Sequence, residues 1–194
     1  MRVISGKCRG TRLIAPEGTL TRPTVDRIKE TLFNIIAFDI PQCIFLDLFG
    51  GSGAIGIEAL SRGAKQAVFV EKDKSALASI RKNLERTKLQ DMAVIYESDV
   101  RAALDQLKNK SQKFDIIFLD PPYAMGDIES VLRKIAENEL LYEEGYIILE
   151  RSTNTLVSLP QNLVLWKEKT YKTTTLSFLR KEKDSENRNL SREF

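Results

Sequence analysis

Residues 46–56, L-D-L-F-G-G-S-G-A-I-G, limit what this chain can fold into more than any other stretch. Ahead of them runs C-I-F-L, a short apolar run suited to a buried strand, and behind them A-I-G-I-E-A-L-S opens an amphipathic helix. A strand that breaks on glycines and turns straight into a helix makes a pocket. Glycine lets a ligand press against the backbone, and the first amides of a helix have no partners within it. Gly50, Gly51 and Gly53 are the residues whose backbone would meet that ligand. Gly51, Gly53 and Gly56 also fit G-x-G-x-x-G, the dinucleotide fingerprint, a weak match when taken alone. Glycines that only let a helix pack closely on a strand would look the same. Asp47, at the strand's end, separates the ligands: it would repel a pyrophosphate and hold a group carrying an ammonium or sulfonium charge.

The pattern then repeats. A-V-F-V-E (67–71), M-A-V-I-Y (92–96), F-D-I-I-F-L (114–119) and G-Y-I-I-L-E (145–150) read as strands. Helices are expected over 74–88, with Leu77, Ile80 and Leu84 inside, after Asp99, and around Ile128, Val131, Leu132 and Ile135. Strands alternating with helices imply an α/β fold, a mostly parallel sheet covered on both faces. The end differs, because N-L-V-L-W-K-E-K and T-T-T-L-S-F-L-R have no helix between them. They predict a C-terminal antiparallel hairpin, with Trp166 in the core, for seven strands in all.

Composition narrows the chemistry. The 194 residues suit one domain with a core of its own. The chain contains no histidine, which removes Ser-His and Cys-His nucleophile systems and most transition-metal sites. Cys8 and Cys43 stand too far apart to suggest a disulfide framework or a zinc site. Neither a signal peptide nor a run of membrane-spanning length is present, so the expected location is cytoplasmic, with no membrane partner and no metal.

The net charge of +3 is modest, but its distribution is uneven. Residues 1–30 hold seven basic side chains against three acidic ones, a net +4. Residues 1–22 are expected to form a basic extension, a short hairpin around Gly6 and Gly10. On it Arg2, Lys7, Arg9 and Arg12 offer a phosphate-contacting surface, or else a charged edge that stays solvated. Next comes a helix with Thr24 as N-cap and Val25, Ile28, Leu32 and Ile35 on its core face. Arg22, Thr24 and Arg27 gather at its start, where a carboxylate could be received. The main domain is expected over 23–181, followed by a polar, disordered tail over 182–194.

In a sheet of this kind ligands bind beyond the carboxyl ends of the strands. Four acids stand at such ends: Asp47, Glu71, Asp99 and Asp120. Glu71 follows Asp47 by 24 residues, near the separation at which an acid takes the ribose hydroxyls. Asp99 could accept from an adenine amino group. D-P-P-Y, Asp120 to Tyr123, is the decisive element. Pro121 and Pro122 remove two amide donors and stiffen the backbone, which leaves the Asp120 carboxylate and the Pro121 carbonyl as acceptors for a conjugated amino group. Gripping both hydrogens turns the nitrogen's lone pair toward an electrophile, and Tyr123 offers a face on which a base can stack.

D-L-F-G-G-S-G-A-I-G, Glu71, Asp99 and D-P-P-Y together resemble the ordered motifs of class I S-adenosylmethionine-dependent amino-methyltransferases. With R-V-I-S-G-x-x-R-G, R-P-T-x-D-R-I-K-E-T-L-F-N and the long form D-L-F-G-G-S-G-A-I-G-I-E-A-L-S-R-G-A, the chain resembles the RsmD family over nearly its full length. The resemblance implies a Rossmann-like fold and a bacterial enzyme that methylates the exocyclic N2 of one guanine in 16S rRNA of the small ribosomal subunit. It implies that Asp47, Gly51 and Gly53 hold the methionine end of the cofactor, with Arg22 and Thr24 at its carboxylate. By the same resemblance Glu71 takes the ribose, Asp99 the adenine amine, Asp120 and Pro121 the target amine, and Tyr123 the flipped guanine. A monomer is expected. Three rivals stay open at this level. An NAD-linked oxidoreductase leaves D-P-P-Y unexplained. An adenine-N6 or protein-glutamine methyltransferase shares that motif, although the latter usually carries Asn at the position of Asp120. A non-catalytic RNA-binding assembly factor would not need the four rim acids.

Overall fold

The glycine turn sits where the sheet reverses its strand order. The computed structural model describes residues 1–16, 23–122 and 126–182, with the side chains of 23–25 left aside. Strand β1 (Ile44–Asp47) is flanked by β2 (Gln66–Glu71) on one side and β4 (Phe114–Leu119) on the other, both parallel to it. With β3 (Ala93–Glu97), β5 (Leu141–Ser152), β6 (Leu163–Tyr171) and β7 (Thr174–Lys181), the order is β3-β2-β1-β4-β5-β7-β6. β7 runs antiparallel to β5 and to β6, which closes the sheet with the expected hairpin. In such a sheet the crevice for a ligand opens between β1 and β4.

Period-2 alternation of large apolar residues builds two cores, one on each face. Phe45, Phe69, Ile116 and Phe118 face the side covered by α1 (Pro23–Ile35), α2 (Ala54–Ser61) and α3 (Lys74–Thr87). Leu46, Val68, Ile117 and Leu119 face α4 (Val100–Asn109) and α5 (Ile128–Glu137). The strands are apolar on both sides because both sides are covered. None of the described helices is long and apolar enough to cross a membrane.

Three local expectations are corrected. Trp166 is 47% exposed. It lies on the outermost strand at a register shift between Leu165 and Lys167, standing edge-on to Tyr146 and Phe178 with the Arg180 guanidinium over its ring. Helix α1 begins at Pro23, so Thr24 is its second residue and not its N-cap; proline's missing amide suits the first helical position. The buried face of α1 is Lys29, Leu32 and Phe33, continued by Ile36 just past its end, while Ile28 and Ile35 are only partly covered. The Val25 side chain lies outside the described residues.

The N-terminal segment makes one antiparallel bridge, Arg2 to Arg12, rather than two full strands. Val3 and Leu13 are buried in the core that α1, α2 and α3 cover, while Arg2, Lys7, Arg9 and Arg12 are exposed. Gly6 fits against the end of α2, where a Cβ would fall 1.9 Å from the Ser61 carbonyl oxygen. Glu58 of α2 anchors the segment: its carboxylate accepts from the amides of Ile4 (2.8 Å) and Ser5 (2.9 Å) and from Arg62 Nε (2.8 Å). Lys29 Nζ lies 3.3 Å from the same carboxylate and donates to the Arg2 carbonyl at 2.6 Å. Both charges are fully buried, and the loss of hydration pulls the Lys29 pKa down despite Glu58.

Candidate active site

Beyond the carboxyl end of β1 the chain turns through Gly50–Gly53 and enters α2 with Gly53 at φ 78°. The Gly53 amide donates to the Gly50 carbonyl at 2.7 Å, which makes the turn tight. Gly56 closes the corner: a Cβ there would lie 2.3 Å from the Phe69 ring, so only glycine lets α2 approach β2 this closely.

Asp47 is 1% exposed, and its Oδ2 accepts from the Gly56 amide at 3.2 Å. It therefore uses one of the helix amides that the sequence left without partners. Burial raises its pKa to about 7, the Gly56 hydrogen bond opposes the rise, and the charges of Asp120 and Glu71 add to it. Glu71 holds the turn from the other side. Its Oε2 accepts from the Gly51 amide at 2.9 Å, and its Oε1 from the amides of Lys72 and Asp73 at 2.8 Å each. Asp99 lies two residues past β3 and caps α4, accepting from the Arg101 amide at 3.0 Å. Its other oxygen is 3.7 Å from Lys72 Nζ, in solvent.

Two cavities open on this rim. The first, ≈ 160 Å³, is lined by Lys29, Asp47, Gly50, Gly51, Asp120 and Glu150 among others. The second, ≈ 80 Å³, is lined by Asp120, Pro121, Pro122, Glu150 and Arg151. Asp120 and Glu150 belong to both and form the wall between them. Asp120 opens into the cleft, yet enough protein rings its carboxyl to push its pKa up to about 6. Glu150, half-buried near the end of β5, is pushed up to about 8 by burial and then by the charge of Asp120.

The fold thus gathers Asp47, Gly50, Gly51 and Asp120 around one cleft with Pro121 and Pro122 beside it, and leaves Glu71 and Asp99 outside its walls. Arg22, Tyr123 and the Thr24 side chain lie outside the described residues, as do positions 183–194 of the expected tail. Sequence reasoning missed three participants. Glu150 ends Y-I-I-L-E as Glu71 ends A-V-F-V-E, so the rule that marked four acids would have marked a fifth. Lys29 and Glu58 carried no such signal, because a charge on a helix is ordinarily solvated.

Residues 1–180 match the model of a family described as "Conserved hypothetical protein 95". A relative from Bacillus subtilis is 40% identical over 184 residues, 93% of this chain and 99% of its own length. Ribosomal RNA small subunit methyltransferase D of Haemophilus influenzae is 39% identical over 174 residues, 88% of each chain. A solved structure from Escherichia coli superposes with a TM-score of 0.81 at 33% identity, covering 94% of this chain and 98% of that one. The order of motifs, the strand order and these likenesses agree, and the chain belongs to the RsmD family, with the class I methyltransferase fold of that family.

Proposed function

We propose that this protein transfers a methyl group from S-adenosylmethionine to the exocyclic N2 of a guanine in 16S rRNA of the small ribosomal subunit. The observation that carries the reading is Asp120. It opens into a cleft walled by Gly50, Gly51 and Asp47 and follows the strand next to β1, beside two prolines. A cleft that gathers three carboxyl groups, and whose Lys29 ammonium is tied to Glu58, suits a cationic ligand, so the residues present fit a sulfonium cofactor. The name of the H. influenzae relative supports ribosomal RNA as substrate, and the N-terminal motifs favour guanine N2 over adenine N6.

Asp47 and the backbone of Gly50, Gly51 and Gly53 would hold the methionine end, with Arg22 and Thr24 at its carboxylate. Glu71 would take the ribose and Asp99 the adenine amine. The bound cofactor supplies an electrophilic methyl group. Asp120 and the Pro121 carbonyl orient the target amine, the rigid Pro121–Pro122 corner fixes their direction, and Tyr123 stacks the base. Arg2, Lys7, Arg9 and Arg12 would contact RNA phosphates from the ribbon that covers α2, and among the described residues none of the four is ion-paired. In the domain division this supports, 1–22 is the RNA-contacting extension of a methyltransferase domain over 23–181.

The test is transfer of labelled methyl from S-adenosylmethionine to 16S rRNA lacking the modification, with the product nucleoside identified by mass spectrometry. N2-methylguanosine is expected from the wild type and none from Asp120→Ala, which should still bind cofactor. Methylation of adenine, or unchanged turnover by Asp120→Ala, would overturn the reading.

A further inference from the structure

Asp120 directly follows β4 and Glu150 lies on the adjacent β5; the two share the wall between the two cavities, and neither accepts a hydrogen bond or forms an ion pair among the described residues. The charged side chains nearby are engaged elsewhere. The Arg151 guanidinium donates to Glu168 (2.7 Å), Thr155 (2.6 Å), Ser152 and Ser177. Lys29 is held by Glu58, Asp47 by the Gly56 amide, and Glu71 by three backbone amides. Met1, which carries the amino terminus, also lines the first cavity. Two carboxyl groups that share a cleft wall and have no other partner among the described residues can keep one proton between them.

We propose that Glu150 is a catalytic proton acceptor: the Asp120–Glu150 pair gives up its shared proton when a sulfonium charge enters the first cavity, and recovers one from the methylated amine in the second. The inference rests on the methyl-transfer reading of Asp120. Burial pushes both carboxyl pKa values up, and the charge of Asp120 adds to the rise at Glu150, so the proton belongs to the pair. A cation within a few ångströms favours the charged form and lowers both values. In the transfer, the amine lone pair forms the N–C bond, and the C–S bond breaks with its electrons left on sulfur. The N–H bond then breaks with its electrons left on nitrogen, and the proton passes by way of Asp120 to Glu150. One positive charge leaves sulfur as one proton reaches the pair, so the cleft returns to the charge it had before binding.

The experiment is calorimetry of the wild-type protein at pH 7 in two buffers of different ionisation enthalpy, with S-adenosylmethionine and with S-adenosylhomocysteine, its uncharged thioether. Release of close to one proton is expected with the sulfonium and little with the thioether. In the wild type, affinity for the sulfonium relative to the thioether should climb toward tenfold per pH unit between pH 6 and 8. Glu150→Gln should bind both ligands, lose the difference in proton release and flatten that slope. Equal release with the two ligands in the wild type would overturn the proposal. So would a difference that survives in Glu150→Gln, which would assign the proton to another group such as Asp47. Failure of the wild type to bind either ligand would instead remove the methyltransferase reading, and this proposal with it.

Discussion

Gly56 does its work by lacking a side chain. With a Cβ 2.3 Å from the Phe69 ring, Gly56→Ala must lift α2 away from β2, and overpacking of this kind costs about 1–3 kcal/mol. The same shift carries the Gly56 amide away from Asp47, so cofactor affinity should fall together with stability. Urea unfolding and binding calorimetry on one preparation would show both; a variant as stable as the wild type would mean that the ring swings aside. Glu71 does two jobs at once, shaping the turn through the Gly51 amide and, in the proposed function, accepting from ribose. Hydrogen bonds to a charged acceptor contribute about 1.5–3 kcal/mol, so Glu71→Ala should weaken cofactor binding roughly 10- to 100-fold. Wild-type affinity in that variant would contradict the assignment.

At the scale of elements, the N-terminal ribbon is tied to α2 by a buried carboxylate and held to α1 by a buried ammonium. Removing one member of such a pair leaves the other charged, unpaired and out of water. Glu58→Ala should therefore cost about 3–5 kcal/mol. It should also free residues 1–14 to proteolysis before the remainder unfolds, a difference that limited digestion would detect. The outward arginines can be tested without touching this anchor. Reversing Arg9 and Arg12 to glutamate should raise the KM for RNA and flatten its salt dependence, since each lost phosphate contact lowers the number of ions released. A salt slope equal to the wild type's would return the ribbon to the role of a solvated edge.

For the whole molecule, the rim stores electrostatic free energy. Asp47 at about 7, Asp120 at about 6 and Glu150 at about 8 all lie above the ordinary carboxyl range that the unfolded chain would show. The folded state thus binds protons that the unfolded state has already lost. The contribution of these groups to stability is intact below about pH 4 and is lost as the pH rises through 6 to 8. The ligand-free protein should melt lower at pH 8.5 than at pH 5.5, and Asp47→Asn should reduce that difference. A cationic ligand should raise the melting temperature more at the higher pH. Melting curves that ignore pH over this interval would show that water reaches these carboxyls freely.

Much of this could be read along the chain. Alternation of apolar residues, the glycine run and the di-proline corner are local, so the seven strands, their helices and the rim acids at strand ends were legible before any folding. Boundaries drifted where pairing reaches past the apolar run: β5 starts at Leu141, which pairs with Phe114 ahead of a register shift, and runs on to Ser152 against β7. Exposure and protonation are of another kind. Trp166 stays half in solvent because its strand is the sheet's edge, Lys29 is buried because a carboxylate 29 residues away meets it, and the Glu150 pKa rises because the fold buries its carboxyl and then because β4 delivers Asp120 beside it. The order of residues determined which groups stand at which strand ends. Only the tertiary structure decided which of them lose their water together, since desolvation and charge coupling depend on neighbours that the chain brings from far along its length.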